Sequence, residues 1–213
     1  MVDDVSLGCR LHPDVIAPLL ALQARAQTDG QQLAVASGFR DFERQQTIWN
    51  DKVLGRRPVY DRAGNEVDLD SLDDWDKVQT LLIWSALPGA SRHHWGTDLD
   101  VFNPQLIPTG GRLELSQAEY WYGAQKPFCE WLDKQLQVNG DFFRPYSRQN
   151  SITQNMGVEP EPWHISYRPL ASVYEQALTV DLLRDVLATA DLQLKDCILA
   201  NLETIVARYV RTG

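Results

Sequence analysis

The spacing of apolar residues in the first half of the chain alternates between the period of helices and that of strands. Stretches with apolar residues three or four positions apart predict three helices, at 11–30, 41–53 and 72–87. A short strand is predicted at 32–39, and alternating polar and apolar residues predict a second strand at 97–103. Pro13 suits the opening turn of the first helix, and Ser71 with Asp74 has the spacing of a capping box for the third. Charged and turn-forming residues at 54–70 predict a long surface loop.

The second half of the chain continues this mixture and ends in a helical region. Helical spacing recurs at 116–125 and 126–140, and short strands are predicted at 141–146 and 163–169. From residue 170 to 210 the pattern is helical, with breaks near Thr179 and Ala190. We therefore expect an α+β protein with a core at 1–170 and a helical C-terminal extension at 171–213 that packs on this core.

Composition and charge exclude several classes of protein. Hydrophobic residues make up 44% and charged residues 23% of the 213 positions, which is typical of a folded domain rather than a disordered chain. Lys and Arg number 20 against 29 Asp and Glu, and no basic run is present, so we expect no nucleic-acid partner. No apolar run approaches the roughly eighteen residues of a membrane span, and no secretory signal is visible.

Three of the four histidines lie in two short stretches that also carry carboxylates, SRHHWGTDLD at 91–100 and EPEPWHISY at 159–167. A hydrolytic zinc site needs three protein ligands and a fourth position open to water. His93 and Asp100 lie seven residues apart across Gly96, whose backbone freedom allows a sharp bend between them. The HExxH signature of helical metalloproteases is absent, so a second segment has to complete such a site, and His164 opens a strand there.

Glu161 lies three residues before His164, with Pro162 and Trp163 between them. In an extended segment its side chain would point away from His164, so we expect it to come from the turn that enters the strand. A carboxylate in that turn can accept a proton from water at the metal. The fourth histidine, His12, precedes a proline at a helix start and is interpreted as structural.

Three stretches resemble the motifs of the M15 zinc peptidases, which include VanY-type D-alanyl-D-alanine carboxypeptidases and phage endolysin peptidases. SRHHWGTDLD is similar to the Ser, His, Gly, Asp pattern of this family, and EPWH to its Glu, Trp, His pattern. SGFRDFERQ is similar to a third motif, in which an arginine follows a strand and a glutamine comes five residues later, here Arg40 and Gln45. The resemblance covers about 11–169, and three motifs in order with matching spacing make it specific.

The resemblance implies a hedgehog/DD-peptidase-type fold, in which a small, mostly antiparallel sheet is flanked by helices. It implies one zinc ion, with ligands His93, Asp100 and His164. Glu161 is implied as general base and acid, and Arg40 as the group that stabilises the negative oxygen formed when water attacks the peptide carbonyl. Ser91 and Gln45 would hold the polar ends of the substrate. The implied activity is that of a D-Ala-D-Ala carboxypeptidase on peptidoglycan stem peptides or muropeptides.

Individual residues keep alternative interpretations. His94 adjoins His93 and competes with it as a ligand, although the family pattern favours His93. Asp98 departs from the family, which usually has a small apolar residue there. Its carboxylate either tunes the metal or binds a substrate amine, or it is a solvated group or bonds to a nearby loop. Trp163 either walls the substrate site or belongs to the core.

The activity and the location also have alternatives. An L,D-peptidase, an L-alanyl-D-glutamate peptidase, a catalytically silent zinc-binding domain and a zinc-independent structural protein are all compatible with the chain. Glu161 and Arg40 favour an enzyme, because a structural zinc site needs neither a proton acceptor nor a partner for an oxyanion. The resemblance implies the cell envelope or periplasm. The alternative is the cytoplasm, which we expect if Met1 is the native start. The sequence does not set the oligomeric state.

Overall fold

A computed structural model describes residues 1–4, 7–149 and 157–211 of the chain. The strands are β1 (Val2–Asp4), β2 (Cys9–Leu11), β3 (Ala34–Ser37), β4 (Asp98–Phe102), β5 (Phe142–Phe143) and β6 (His164–Tyr167). The α-helices are α1 (Pro13–Thr28), α2 (Phe42–Val53), α3 (Asp74–Leu82), α4 (Gln117–Trp121), α5 (Lys126–Asn139), α6 (Arg168–Ala177), α7 (Val180–Thr189), α8 (Lys195–Ala200) and α9 (Leu202–Ile205). Short 3-10 helices lie at Leu69–Ser71, Arg92–Trp95 and Pro104–Leu106, and a π-helical turn at Val206–Val210. The predicted α+β class is confirmed.

The chain divides into two compact units, each assembled from separate stretches. The first unit comprises Met1–Phe39, Trp95–Ser147 and Pro160–Val173. The second comprises Arg40–His94, Arg148–Glu159 and Tyr174–Gly213. In the second unit the residues from Tyr174 onward are grouped with the stretch 40–94. The division that we predict at residue 170 stays a proposal.

A four-stranded antiparallel sheet organises the first unit, with the strand order β3-β4-β6-β5. In the central pair, Leu99 lies opposite Ile165, and both side chains are fully buried. Side chains alternate between the two faces of a strand, so the neighbours of these two residues point to the opposite face. The register thereby places Asp100 opposite His164 on that face, and Asp98 opposite Ser166 on the same face.

Helices α1 and α4 both bury side chains in the first unit. Four buried residues form the apolar stripe of α1: Val15, Leu19, Leu22 and Ala26. His12 caps this helix, because its Nδ1 accepts from the backbone N–H of Asp14 at 3.2 Å. On α4, the buried Tyr120 donates its hydroxyl to the carbonyl of Val101 in β4 at 2.7 Å. Burial raises the pKa of Tyr120, so the phenol stays a donor.

Side-chain to backbone hydrogen bonds join the C-terminal helices of the second unit to α2. Trp49 is fully buried, and its indole N–H donates to the carbonyl of Gln193 at 3.2 Å. Asn50 donates to the carbonyl of Asp191 and accepts from the backbone N–H of Gln193, both at 2.9 Å. The loop between α7 and α8 is therefore held by polar groups on α2, and α3 packs against α8.

Several local predictions are wrong in detail. Asp73, not Ser71, caps α3, because its carboxylate accepts from the backbone N–H of Asp76 at 2.9 Å. Ser71 lies in the preceding 3-10 helix and donates its hydroxyl to the carbonyl of Asp68. The hairpin of β1 and β2 was not predicted, since three-residue strands are too short to show an alternating pattern. Residues 150–156 of the irregular stretch at 147–160 lie outside the described residues.

None of the helices in 1–4, 7–149 and 157–211 has both the length and the apolar character that crossing a bilayer requires.

Gly96 forms the bend that we predict between the two histidines and β4. Its φ is +68°, and its carbonyl accepts from the backbone N–H of His12 at 2.9 Å. A Cβ at this position would lie 2.8 Å from the same backbone nitrogen and would also clash with the Met1 side chain. The left-handed backbone and the close approach of a second segment therefore both require glycine.

We expect Gly96→Ala to lower the free energy of unfolding more than Gly64→Ala does. Gly64 has a similar φ of +83°, but an added Cβ there meets nothing within 4 Å. Gly64→Ala reports the backbone strain alone, about 1–2 kcal/mol. The crowding at residue 96 should add at least about 1 kcal/mol. Equal losses in urea unfolding would show that the approach of His12 imposes no constraint.

Candidate metal centre

Three carboxylates surround the imidazole of His164 in the first unit. Its Nδ1 lies 3.2 Å from Asp100 Oδ1 and 3.4 Å from Glu161 Oε2. Its Nε2 lies 2.9 Å from Asp98 Oδ1. The β4–β6 register places both aspartates beside the histidine, because they occupy the same face of adjacent strands.

Glu161 comes from a turn at the start of β6, as we predict. The backbone N–H of His164 donates to the carbonyl of Glu161 at 3.2 Å, which closes the turn. The backbone N–H of Glu161 in turn donates to the carbonyl of Tyr146 at 2.9 Å. These bonds direct the carboxylate of Glu161 towards the Nδ1 side of the imidazole.

Arg144 and Tyr146 support this turn, and sequence reasoning did not find them. Arg144 is an almost buried side chain whose Nε donates to the carbonyl of Pro162 at 2.8 Å, and it also forms a close ion pair with Asp133. The ring of Tyr146 meets the imidazole of His164 edge-on, with 5.1 Å between the ring centres. Because Arg144 binds a backbone carbonyl, no pairing pattern of side chains in the sequence reveals it.

The electrostatic environment of His164 favours positive charge. Burial alone lowers the pKa of this imidazole, but hydrogen bonds with Asp100, Asp98 and Glu161 outweigh burial and raise the pKa well above its ordinary value. Nearby negative charge stabilises a protonated imidazole, and it equally stabilises a divalent cation between the same groups. The carboxylates around His164 therefore favour the presence of a cation.

The structure brings together the three residues that the motifs predict as metal ligands. One ligand-type atom each from His93, Asp100 and His164 lies within 4.8 Å of the others, and all three residues are buried. Two imidazole nitrogens and one carboxylate oxygen are a donor set that zinc accepts, and in catalytic sites three protein ligands leave a position for water. The chemistry of this donor set fits one zinc ion.

Gln45 holds the guanidinium of Arg40 within the second unit. Arg40 Nη1 donates to Gln45 Oε1 at 2.8 Å, and Gln45 Nε2 donates to the carbonyl of Ala86 at 2.7 Å. Gln45 is only 1% exposed, and its side-chain oxygen and nitrogen both form hydrogen bonds within the protein. This arrangement favours a role in positioning Arg40 over the substrate contact that the resemblance implies. The backbone N–H of Arg40 donates to the carbonyl of His93 at 3.1 Å.

His94 uses both ring nitrogens inside the second unit. The backbone N–H of Gly89 donates to its Nε2 at 3.1 Å, so the proton lies on Nδ1, which donates to the carbonyl of Arg40 at 2.6 Å. Burial, and then the charges of His93 and Arg40, lower the pKa of His94, which keeps the ring neutral. These bonds favour His93 over His94 as the ligand.

The other residues predicted to bind substrate are buried. Ser91 is 1% exposed, and its carbonyl accepts from the backbone N–H of His94 at 3.0 Å. Trp163 is 6% exposed and meets Tyr120 edge-on at 5.6 Å, which favours the interpretation of Trp163 as a core residue. Asp98 is fully buried beside His164, which favours a bond to a neighbouring element over contact with substrate.

Comparison with known proteins identifies the family. The family model for VanY, described as D-alanyl-D-alanine carboxypeptidase, matches residues 8–170. The chain belongs to the VanY family. This match confirms the resemblance drawn from the three motifs, which lie within the matched range.

Two curated relatives of this VanY-family chain cover different shares of it. An uncharacterised protein of Haemophilus influenzae is 37% identical over 125 residues, which are 58% of this chain and 92% of the relative. A D-alanyl-D-alanine carboxypeptidase of Enterococcus faecalis is 27% identical over 184 residues, which are 84% of this chain. The match spans 58% of the length of the enterococcal protein.

Two solved VanY structures share the fold. VanYB in complex with D-alanine-D-alanine has a TM-score of 0.57 and 24% identity, and the match covers 90% of each chain. A mutant of the vancomycin-resistance D,D-pentapeptidase VanY in complex with Zn(II) has a TM-score of 0.55 and 24% identity. That match covers 85% of this chain and 87% of the mutant's chain.

We expect the purified protein to bind about one zinc ion per chain, and His93→Ala to weaken zinc affinity by at least about 100-fold. Removal of a residue that binds the metal directly should weaken zinc affinity more than removal of a residue that hydrogen-bonds to a ligand, which typically costs about 10–100-fold. Competition with a chromophoric chelator, followed by elemental analysis, measures this affinity. His94→Ala and His12→Asn are matched controls that should retain zinc. Retention by His93→Ala with loss in His94→Ala would reverse the assignment of the ligand.

Proposed function

We propose that this VanY-family protein is a zinc-dependent D-alanyl-D-alanine carboxypeptidase that removes the terminal D-alanine from peptidoglycan stem peptides. The proposal depends on the proximity of His93, Asp100 and His164, because these residues come from separate segments of the sequence and yet their ligand atoms lie within 4.8 Å of one another. Membership of a family described as D-alanyl-D-alanine carboxypeptidase supports this reaction.

We assign the metal to these three residues. The donor set suits zinc, and a solved VanY was obtained in complex with Zn(II). When bound, zinc supplies Lewis acidity, which polarises a carbonyl and lowers the pKa of water. The three ligands are buried, so they hold the ion with side chains that have little freedom to rearrange.

Glu161 is the proposed general base and acid. Its Oε2 lies 3.4 Å from His164 Nδ1, and the turn at 161–164 keeps it beside the proposed ligand. A carboxylate there can accept a proton from the attacking water and return it to the departing amine. Such a group contributes about 10²–10⁴-fold to the rate.

Arg40 is the proposed stabiliser of the negative oxygen that develops on the scissile carbonyl. Its guanidinium is bonded by Gln45, and its backbone is bonded to the carbonyl of His93. Both contacts restrict its motion, and electrostatic stabilisation is strongest when the charged group is already oriented. We assign Gln45 to positioning Arg40 and keep Ser91 as a proposed contact for a polar end of the substrate.

The proposed substrate is a stem peptide or muropeptide, and the proposed location is the cell envelope. VanYB was solved with D-alanine-D-alanine, which is the terminal dipeptide of such a substrate.

The test is to incubate the protein with an L-Lys-D-Ala-D-Ala peptide and with muropeptides, and to identify the products by mass spectrometry. Release of one D-alanine supports the proposal. Cleavage at an L,D or L-alanyl-D-glutamate bond would assign a different peptidase, and no cleavage by zinc-loaded protein would indicate a catalytically silent domain.

We expect Glu161→Gln to retain zinc and to lower kcat by about 10²–10⁴-fold, because an amide cannot accept the proton. Glu159→Gln is the matched control: this carboxylate lies two positions away and pairs with Arg62 instead. The control should keep kcat within about threefold of the wild type. Steady-state release of D-alanine measures both variants. Full activity of zinc-loaded Glu161→Gln would contradict the assignment of the base.

We expect Arg40→Gln to lower kcat by about 10²–10³-fold with a smaller change in KM, since oxyanion stabilisation acts chiefly in the transition state. Arg44→Gln is the control, because Arg44 is an exposed residue on α2. The same assay, run at saturating zinc, separates kcat from KM. A rise in KM alone would reassign Arg40 to substrate binding.

A further inference from the structure

The carboxylate of Asp98 lies behind the imidazole of His164, on the side away from Asp100 and Glu161. Asp98 Oδ1 lies 2.9 Å from His164 Nε2, whereas Asp100 and Glu161 approach Nδ1. The two nitrogens of this ring therefore have different neighbours. Nδ1 faces the groups assigned to the metal and to proton transfer, and Nε2 faces a residue that has no assigned role.

Asp98 is itself held by two hydroxyl groups of the first unit. Its Oδ2 accepts from Thr97 Oγ1 at 2.7 Å and from Ser166 Oγ at 2.9 Å. Asp98, Thr97 and Ser166 are all fully buried. Burial of a carboxylate is strongly unfavourable unless donors satisfy it, so this cluster specifies one orientation of the Asp98 side chain.

An oriented carboxylate determines which nitrogen of a neutral imidazole carries the proton. An ionised aspartate only accepts hydrogen bonds, so the Nε2 that faces Asp98 has to be the donor. The lone pair of the neutral ring then lies on Nδ1, the nitrogen that faces Asp100 and Glu161. A hydrogen bond of this kind also fixes the plane of the ring and raises its basicity as a metal ligand.

We propose that Asp98 is a positioning residue that holds His164 with Nδ1 directed at the metal, and that it does not contact substrate. This inference rests on the zinc centre of the proposed function. It assigns to Asp98 a role different from the substrate contact suggested by the sequence. The inference depends on the contact between His164 Nε2 and the Asp98 carboxylate, which two hydroxyl groups hold in one orientation.

We expect Asp98→Asn to weaken zinc affinity by about 10- to 100-fold, the range seen when partners behind metal ligands are changed. The asparagine preserves shape, so folding should be retained; circular dichroism and urea unfolding verify this. Asp98→Ala should weaken zinc affinity at least as much. Competition with a chromophoric chelator measures the affinity without reference to peptidase activity.

Gln125→Leu is the control, because Gln125 is fully buried in the same unit and its amide bonds to the backbone of Asn103. It should lower stability while changing zinc affinity by less than about threefold. A purely structural Asp98 predicts a different pattern, in which Asp98→Asn and Gln125→Leu lose stability alike and both keep the wild-type zinc affinity. That pattern would overturn the inference.

A spectroscopic measurement tests the geometry directly. In the ¹¹³Cd-substituted wild type, nitrogen-15 correlation spectra should show cadmium coupled to Nδ1 of His164 and a proton on Nε2. Coupling to Nε2 would overturn the inference.

Zinc binding by the wild type without release of D-alanine would contradict the proposed function and leave the role of Asp98 supported by the affinity series. A wild-type protein that binds no zinc would contradict both.

Discussion

The pairing of β4 with β6 is the constraint on which the candidate site depends. It places Asp100 opposite His164 and Leu99 opposite Ile165, so one face carries the polar groups and the other is apolar and buried. Because side chains alternate along a strand, a slip of one residue would bury the carboxylates in the apolar face and turn the leucine towards the site. The hydrophobic core of the first unit therefore selects the register that places Asp100 beside His164.

The electrostatics of the site follow from the same pairing. Concentrating Asp98, Asp100 and Glu161 around one buried imidazole is unfavourable unless positive charge is present among them, which the raised pKa of His164 expresses. A site of this kind favours a cation more strongly than exposed acidic clusters do, because burial reduces the screening of its groups by water. The three carboxylates differ in position: two approach Nδ1 of His164 and one approaches Nε2.

Much of the precision of the site comes from bonds between side chains and the backbone. Arg144 holds the carbonyl of Pro162, and His94 holds the carbonyl of Arg40. Gln45 connects the guanidinium of Arg40 to the carbonyl of Ala86. These residues restrict the segments that present Glu161 and Arg40, and orientation of that kind is what allows charged groups to act without reorganisation during a reaction.

The sequence by itself determined the α+β class, the principal helices and the motifs from which the family follows, because periodicity and short-range spacing are local properties. It also indicated that Glu161 comes from a turn, since an extended segment three residues long would direct it away from His164. Only the tertiary structure showed that Asp98, Gln45 and Trp163 are buried and which groups they contact. Each was a candidate substrate contact by its position within a motif, but burial and partner identity depend on segments far apart in the chain. Asp98 bonds to a histidine 66 residues later, and no local pattern encodes that distance.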